Sequence, residues 1–244
     1  MKTKVIYEPK GKALEYSQLA CNLFIGCTHA CDYCYGPSVM HKSNEEWVSD
    51  DLEPRDDILE KFERDAKILQ GDPREILFSF ASDPYFSEKA ALITRGALEL
   101  CERYNLKAQI LTKNGARALQ DANLFLSNDG WKFGSTIIFM DEKLREKHES
   151  GAPSIASRVE AVKQAHKMGI FTWVSIEPVL DPDEALKVMD ELKGHVDLWK
   201  VGKLNHNKAV EESIDWKKFF YDSLDKLNGE RTYFKKDLVE AAKK

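Results

Sequence analysis

The sequence predicts an α/β fold, a mostly parallel sheet whose strands are joined by helices, and three observations carry that prediction. From Glu75 onward, apolar runs of about six residues alternate with helical-period segments of about 10 to 18, the spacing of parallel strands linked by right-handed crossovers. Gly71-Asp72-Pro73, Gly169 and Gly202 sit where those elements must stop. With 244 residues, 43% of them hydrophobic, the chain holds enough apolar material for one sizeable core, so residues 1–244 are expected to form a single domain.

In chain order, residues 1–15 are mixed and polar, with Val5-Ile6-Tyr7 the only strand-like fragment, and read as an N-terminal arm or short edge hairpin. Tyr16 to Ile25 is apolar enough for a buried strand, which Gly26 ends. Gly36, Pro37 and the polar run to Asp51 keep the next stretch irregular. Asp56 to Gln70 carries Ile58, Leu59, Phe62, Ile68 and Leu69 near the helical period. Strands then follow over Glu75–Phe80, Lys107–Thr112, Lys132–Phe139, Ile170–Ile176 and Asp197–Val201. The helices between and after them cover Ser87–Tyr104, Ala116–Leu126, Ser154–Met168, Pro182–Leu192 and Ser213–Leu227. Trp173 and Trp199 occupy strand positions and read as core. Residues 228–244 read as a basic, amphipathic C-terminal extension that packs across one end or frays.

That makes six βα units, fewer than the eight that close a barrel of usual size. A doubly wound sheet and an open partial barrel both satisfy the pattern, and in either one ligands gather at the C-terminal ends of the strands.

The formal charge of −5, from 36 basic and 41 acidic residues, gives no global positive field to attract a polyanion. Met1 to Lys10 lack a charged-then-apolar leader and no apolar run approaches the roughly 18 residues that span a bilayer, so no membrane contact and a cytoplasmic location are expected. Five cysteines in such a chain read as reduced thiols or metal ligands rather than a disulfide framework. Cys101, in Ala97-Leu98-Glu99-Leu100-Cys101, reads as a small buried helix thiol.

The chemistry lies in Cys27-Thr28-His29-Ala30-Cys31-Asp32-Tyr33-Cys34. Three thiols within eight residues fit an iron-sulfur cluster, three thiolates capping three irons and leaving the fourth without a protein ligand. A zinc site would have to recruit Cys21 or His29 as fourth ligand, and the paired Cys-x-x-Cys knuckles of structural zinc are absent. A thioredoxin-like pair, Cys31 with Cys34, would leave Cys27 unexplained.

Cys27-x3-Cys31-x2-Cys34, with an aromatic residue just before the last cysteine, resembles the signature of the radical S-adenosylmethionine superfamily. The wider run Cys21 to Tyr35 is most similar to the spore photoproduct lyase-like branch, as are Ser82-Asp83-Pro84-Tyr85, Thr112-Lys113-Asn114, Ser135, Arg158 and Glu177-Pro178. The resemblance covers roughly Leu19 to Asn205. It implies a partial (β/α)6 barrel open on one side, a 4Fe-4S cluster on Cys27, Cys31 and Cys34, and S-adenosyl-L-methionine chelated to the unique iron. It also implies reductive cleavage of that cofactor to a 5′-deoxyadenosyl radical that abstracts a substrate hydrogen, in a lyase- or oxidoreductase-like enzyme fed by a reductant such as flavodoxin or ferredoxin. Tyr33, Ser82, Lys113, Ser135, Arg158 and Asn205 would bind the cofactor. Glu177, Asp83 and Tyr85, at strand ends, would face the substrate, joined by Asn114, Asp141 and the run Lys203 to Asn207, where His206 could serve as acid or base.

The chain departs from the true lyases in one respect. Their segment equivalent to Phe78 to Asp83 supplies a hydrogen-donating cysteine, and here it reads Phe78-Ser79-Phe80-Ala81-Ser82-Asp83, so the standard photoproduct repair is not expected. The substrate, whether nucleotide, nucleic acid, peptide or small metabolite, stays open, and the expected state is a monomer. Beyond the motif only Cys21 and Cys101 remain, too few for a second cluster. The competing reading is a non-catalytic zinc- or cluster-stabilised nucleic-acid-binding module using Lys235-Lys236 and Lys243-Lys244.

Overall fold

The computed structural model describes residues 4–204 and 207–243. Eight strands form one sheet in strict sequence order: β1 (Ile6–Tyr7), β2 (Leu19–Cys21), β3 (Glu75–Phe78), β4 (Lys107–Ile110), β5 (Lys132–Thr136), β6 (Phe171–Val179), β7 (Leu198–Lys203) and β8 (Thr232–Phe234). β1 pairs antiparallel with β2, and every later pair is parallel. A doubly wound sheet would reverse its strand order partway. An order that never reverses is that of a (β/α) barrel, and because β1 and β8 remain the two edges, the barrel is open.

Side chains alternate across the strands as period two requires. Leu19, Cys21, Ile76, Phe78, Ala108, Ile110, Val174, Ile176 and Val201 join one large buried cluster that includes the apolar faces of the helices. Ala20, Leu77 and Trp173 form a second, inner cluster with Tyr16, Phe80 and Leu111 packed against it. Gly134 on β5 makes room for the Trp173 indole, since a Cβ there would stand 2.2 Å from the ring. The indole Nε1 donates to the Ile110 carbonyl at 3.0 Å, which fixes the ring. Trp173 and Trp199 are both fully buried, as their strand positions predict.

The C-terminal extension is where the fold exceeds the expected six units. Residues 232–234 form β8, paired with β7 in the register Trp199↔Thr232 to Val201↔Phe234, and Lys236–Ala241 forms a helix behind it, a seventh parallel strand with its helix. Three residues flanked by Arg231 and Lys235 offer too short an alternation to be read as a strand. Their partner strand β7 supplies the missing signal.

Boundaries also move. Only Leu19–Cys21 of the apolar run stays in the sheet, because Asn22 Oδ1 accepts from both the Phe80 and Ala81 amides and turns the chain out of the ladder. The helix expected over 116–126 is broken into Gly115–Ala118, a 3₁₀ turn Leu119–Asp121, and Ala122–Ser127.

The open side is bridged by the arm. The 3₁₀ turn Gly11–Glu15 sends Lys12 to Asp237 at 2.9 Å, while Glu15 Oε1 accepts from the Tyr233 hydroxyl and the Lys236 amide, each at 2.9 Å. Lys200, from β7, reaches across to the Tyr16 carbonyl at 2.6 Å. Residues 10–16 thus stand in the gap between β2 and β8.

Candidate active site

One cavity of about 440 Å³ opens at the C-terminal edge of the sheet, and Cys27, Cys31 and Cys34 all line it. The cysteine loop is held there by backbone. Gly26 N donates to Ala81 O at 3.0 Å, Cys27 N to Trp47 O at 2.9 Å, and Asp32 N to His148 O at 3.0 Å. Gly151 N donates to His29 O at 3.0 Å, and a Cβ on Gly151 would fall 2.1 Å from Thr28 O, so only glycine lets the two loops lie this close. Cys31 and Glu149 face each other in an isolated antiparallel bridge.

Behind the loop stands a buried ionic cluster. Glu149, fully buried, takes the Arg158 Nη1 at 2.5 Å and the Tyr33 hydroxyl, and lies 3.7 Å from the Lys113 Nζ. Lys113 in turn sits 5.5 Å from the centre of the Tyr33 ring. Burial opposes ionisation of Glu149, but Lys113 and then Arg158 outweigh it and hold the carboxyl below its ordinary range. Burial likewise opposes the charge on Lys113, and Cys31 and Glu149 outweigh it, holding the ammonium charged. Burial pushes the Cys27 and Cys31 thiols up, the nearby Asp83 adding to the first and Lys113 easing the second. Forming thiolates here therefore calls for a bound cation.

Asp83 ties the strand ends to the loop. It accepts from the Tyr85 amide at 2.8 Å, the Thr112 hydroxyl at 2.6 Å and the Lys113 amide at 2.7 Å, and stands 3.1 Å from His29 Nε2. Burial works against its charge, but His29, Thr112 and Lys113 lower it to about 2. Ser82 lines the cavity and donates to Gly26 O at 2.6 Å.

The opposite wall belongs to the later strands and the arm. Glu177, on β6, accepts from the Tyr16 hydroxyl and pairs with Lys235 Nζ at 2.7 Å; that ammonium also lies 3.8 Å from the centre of the Tyr16 ring. Gly202 on β7 makes the pairing fit, since a Cβ there would meet the Glu177 and Lys235 Cδ atoms at 2.8 Å. Burial, and then Glu177, keep the Tyr16 phenol protonated far above its ordinary value.

The residues predicted for the site thus divide. Cys27, Cys31, Cys34, Tyr33, Ser82, Asp83, Lys113 and Glu177 line the cavity. Three others expected at the cofactor or substrate are not among its lining residues. Tyr85 is fully buried and donates to Asp121 at 2.8 Å, because the turn after Pro84 carries it under the helices. Ser135 is buried and donates to the Thr112 carbonyl at 2.9 Å, and Arg158, 1% exposed, spends its charge on Glu149. Asn205, like His206, lies outside the described residues. Asn114 and Asp141 act as helix N-caps, accepting from the Arg117 and Lys143 amides. Sequence reasoning missed Tyr16 and Glu149, and named Lys235 only as part of a basic patch for nucleic acid. Glu149 stands in a short polar link between helices and Tyr16 ahead of a strand, with no periodicity to mark either, and Lys235 follows the unrecognised β8.

The donor set can be tested against the metal groups it could hold. Three soft thiols on one wall suit an iron-sulfur cluster with one iron left open. A closed zinc site drawing on Cys21 does not fit, because that thiol points into the core beneath the helices. Among the described residues no three His, Cys, Asp or Glu side chains are gathered closely enough to form a finished metal site. Also among them, no helix is long and apolar enough to cross a membrane.

No protein-family model matches the chain. An uncharacterised protein of Methanocaldococcus jannaschii is 28% identical over 225 residues, 90% of this chain and 82% of that protein. One from Acidianus two-tailed virus is 24% identical over 231 residues, 83% of this chain and 73% of that one. Among solved structures, a cysteine-to-alanine variant of spore photoproduct lyase superposes with a TM-score of 0.69 at 14% identity, over 96% of this chain and 80% of that one. Streptococcus suis SuiB bound to S-adenosylmethionine gives 0.64 at 12% identity over 91% of this chain. The chain spans about half the length of SuiB, 51% of it. The fold is therefore an open α/β partial barrel of the kind found in spore photoproduct lyase and SuiB.

Proposed function

We propose that the protein is a radical S-adenosylmethionine enzyme acting on a substrate other than the photoproduct repaired by the lyases. The observation that carries this reading is the placing of Cys27, Cys31 and Cys34 together on one cavity at the ligand edge of a partial barrel. A 4Fe-4S cluster held there with S-adenosylmethionine would supply reductive cleavage to a 5′-deoxyadenosyl radical.

The chain's own residues have defined tasks around that chemistry. Lys113, kept charged by Cys31 and Glu149, offers an ammonium to the cofactor's carboxylate. Tyr33 presents its ring beside it, and Ser82 fixes the loop end through Gly26. Asp83, its oxygens occupied by the Tyr85, Thr112 and Lys113 donors and by His29, aligns the β3 and β4 ends and is not a free base. Glu149 and Arg158 position Tyr33 and Lys113 from behind. Glu177, with one oxygen taken by Tyr16 and Lys235, faces the substrate end. Ser79 lines the cavity in the segment where the lyases carry a thiol, and a serine O–H bond is too strong to release a hydrogen atom as a thiol does. Electrons would come from a small cytoplasmic donor of the flavodoxin or ferredoxin kind, delivered to a monomer.

The test is anaerobic reconstitution with iron and sulfide. The expected result is a brown protein that forms 5′-deoxyadenosine when reduced with S-adenosylmethionine. Stoichiometric zinc in place of iron, with salt-dependent nucleic-acid binding and no cofactor cleavage, would replace this reading with that of a metal-stabilised binding module.

A further inference from the structure

The cavity extends well beyond the cysteines, and its far end has a chemical character of its own. Lys10 and Lys12 of the arm, Lys203 at the end of β7 and Lys235 after β8 line it there, with Glu177 the carboxylate among them. The chain as a whole carries a formal charge of −5, so four lysines on one wall run against its composition. Cationic groups around a concave site concentrate anions.

Their present partners differ in strength. Lys235 is 3% exposed and bound to Glu177 at 2.7 Å, a neutralised pair that forms the floor. Lys12 pairs with Asp237, its own side chain 61% exposed, and Lys203 pairs with Glu211. The Lys12 ammonium is solvated and its pair contributes little, so an incoming anion can take the place of Asp237 at small cost. Lys203, its side chain 13% exposed, instead keeps Glu211, the Leu204 carbonyl and the Trp216 ring and meets the anion from that cluster. Lys10 stands exposed on the same wall. Each of these lysines comes from the arm or from the strands across the open side, so an anion bound between them would also hold the arm against β7 and β8.

We infer that this end of the cavity binds an anionic group of the substrate, a phosphate or a carboxylate, seated by Lys10, Lys12 and Lys203 above the Glu177–Lys235 pair. The inference rests on reading the cavity as the place of reaction, but its test does not require turnover.

Reconstituted holoprotein is titrated calorimetrically with inorganic phosphate and, separately, with succinate, at low and at high sodium chloride. The same titrations are run on Lys10→Ala/Lys12→Ala and on Lys203→Ala. At least one anion should bind, more weakly at high salt. Its affinity should fall about tenfold in the double variant, the scale of one lost charge-assisted hydrogen bond. Lys10 and Lys12 lie on an exposed turn, so that variant keeps its fold even if Lys203→Ala does not. Phosphate binding without succinate identifies a phosphorylated substrate, and the reverse a carboxylate. Failure of both anions to bind, or equal binding to wild type and variants, overturns the inference. Absence of 5′-deoxyadenosine from wild type with S-adenosylmethionine would instead overturn the assignment of function, whatever the titrations show.

Discussion

Replacing Asp83 with Asn removes one charge while keeping the shape, and its cost can be worked out from the site. The carboxylate is 7% exposed and held at about 2 against an ordinary 3.8, so its charged form is favoured in the folded state. At 1.36 kcal/mol per pH unit that is about 2 kcal/mol. The amide also turns an N–H toward groups that are themselves donors, which adds about 1 kcal/mol or more. Asp83→Asn should therefore destabilise the metal-free protein by about 2 to 4 kcal/mol at neutral pH. Because the folded-state value is the lower one, the charge-dependent part is fully present above pH 4 and lost as pH falls toward 2, about half of it by pH 3. Urea unfolding of both proteins from pH 3 to 7 measures it. A difference that does not shrink on acidification, or one below about 0.5 kcal/mol at pH 7, would show that Asp83 does not tie the strand ends to His29 as described.

Gly134→Ala places a methyl 2.2 Å from the Trp173 indole, whose Nε1 is fixed on Ile110. It should cost about 2 to 4 kcal/mol from overpacking and the lost hydrogen bond, read from the urea midpoint. Glu149→Gln should leave the buried Arg158 half-paired and loosen the cysteine loop, seen as faster amide exchange at Asp32 in metal-free protein and a raised KM for S-adenosylmethionine. Changing Cys27, Cys31 or Cys34 to Ala should abolish stable iron binding, whereas Cys101→Ala, deep in the helix Glu88–Arg103, should keep the wild-type iron content. Iron analysis after desalting decides between them.

What could be read from the sequence was what is local in the chain. The three thiols within eight residues, the Gly and Pro stops, and the alternation of strand and helix periods are all short-range patterns. They sufficed for the motif, for an α/β sheet with ligands at one edge, and for most helix positions, with Pro182–Leu192 correct at both ends. Patterns alone could not choose between a doubly wound sheet and a barrel, because both use the same repeating unit. Strand order chose, and strand order is a property of pairing between distant segments.

The tertiary structure decided the rest for the same reason. β8 is a strand because β7 offers it an edge, and Lys235 reaches the cavity because that strand exists. Glu149 matters because a buried Arg, a Lys and a Tyr from three other places converge on it, and a lone carboxylate in a polar link gives no sign of that. Tyr85, Ser135 and Arg158 look alike in sequence to residues that do line the cavity, and the direction of each side chain turned them away. Cysteine spacing is a covalent fact and survives in one dimension; burial and ionic pairing are sums over neighbours that only the folded chain brings within reach.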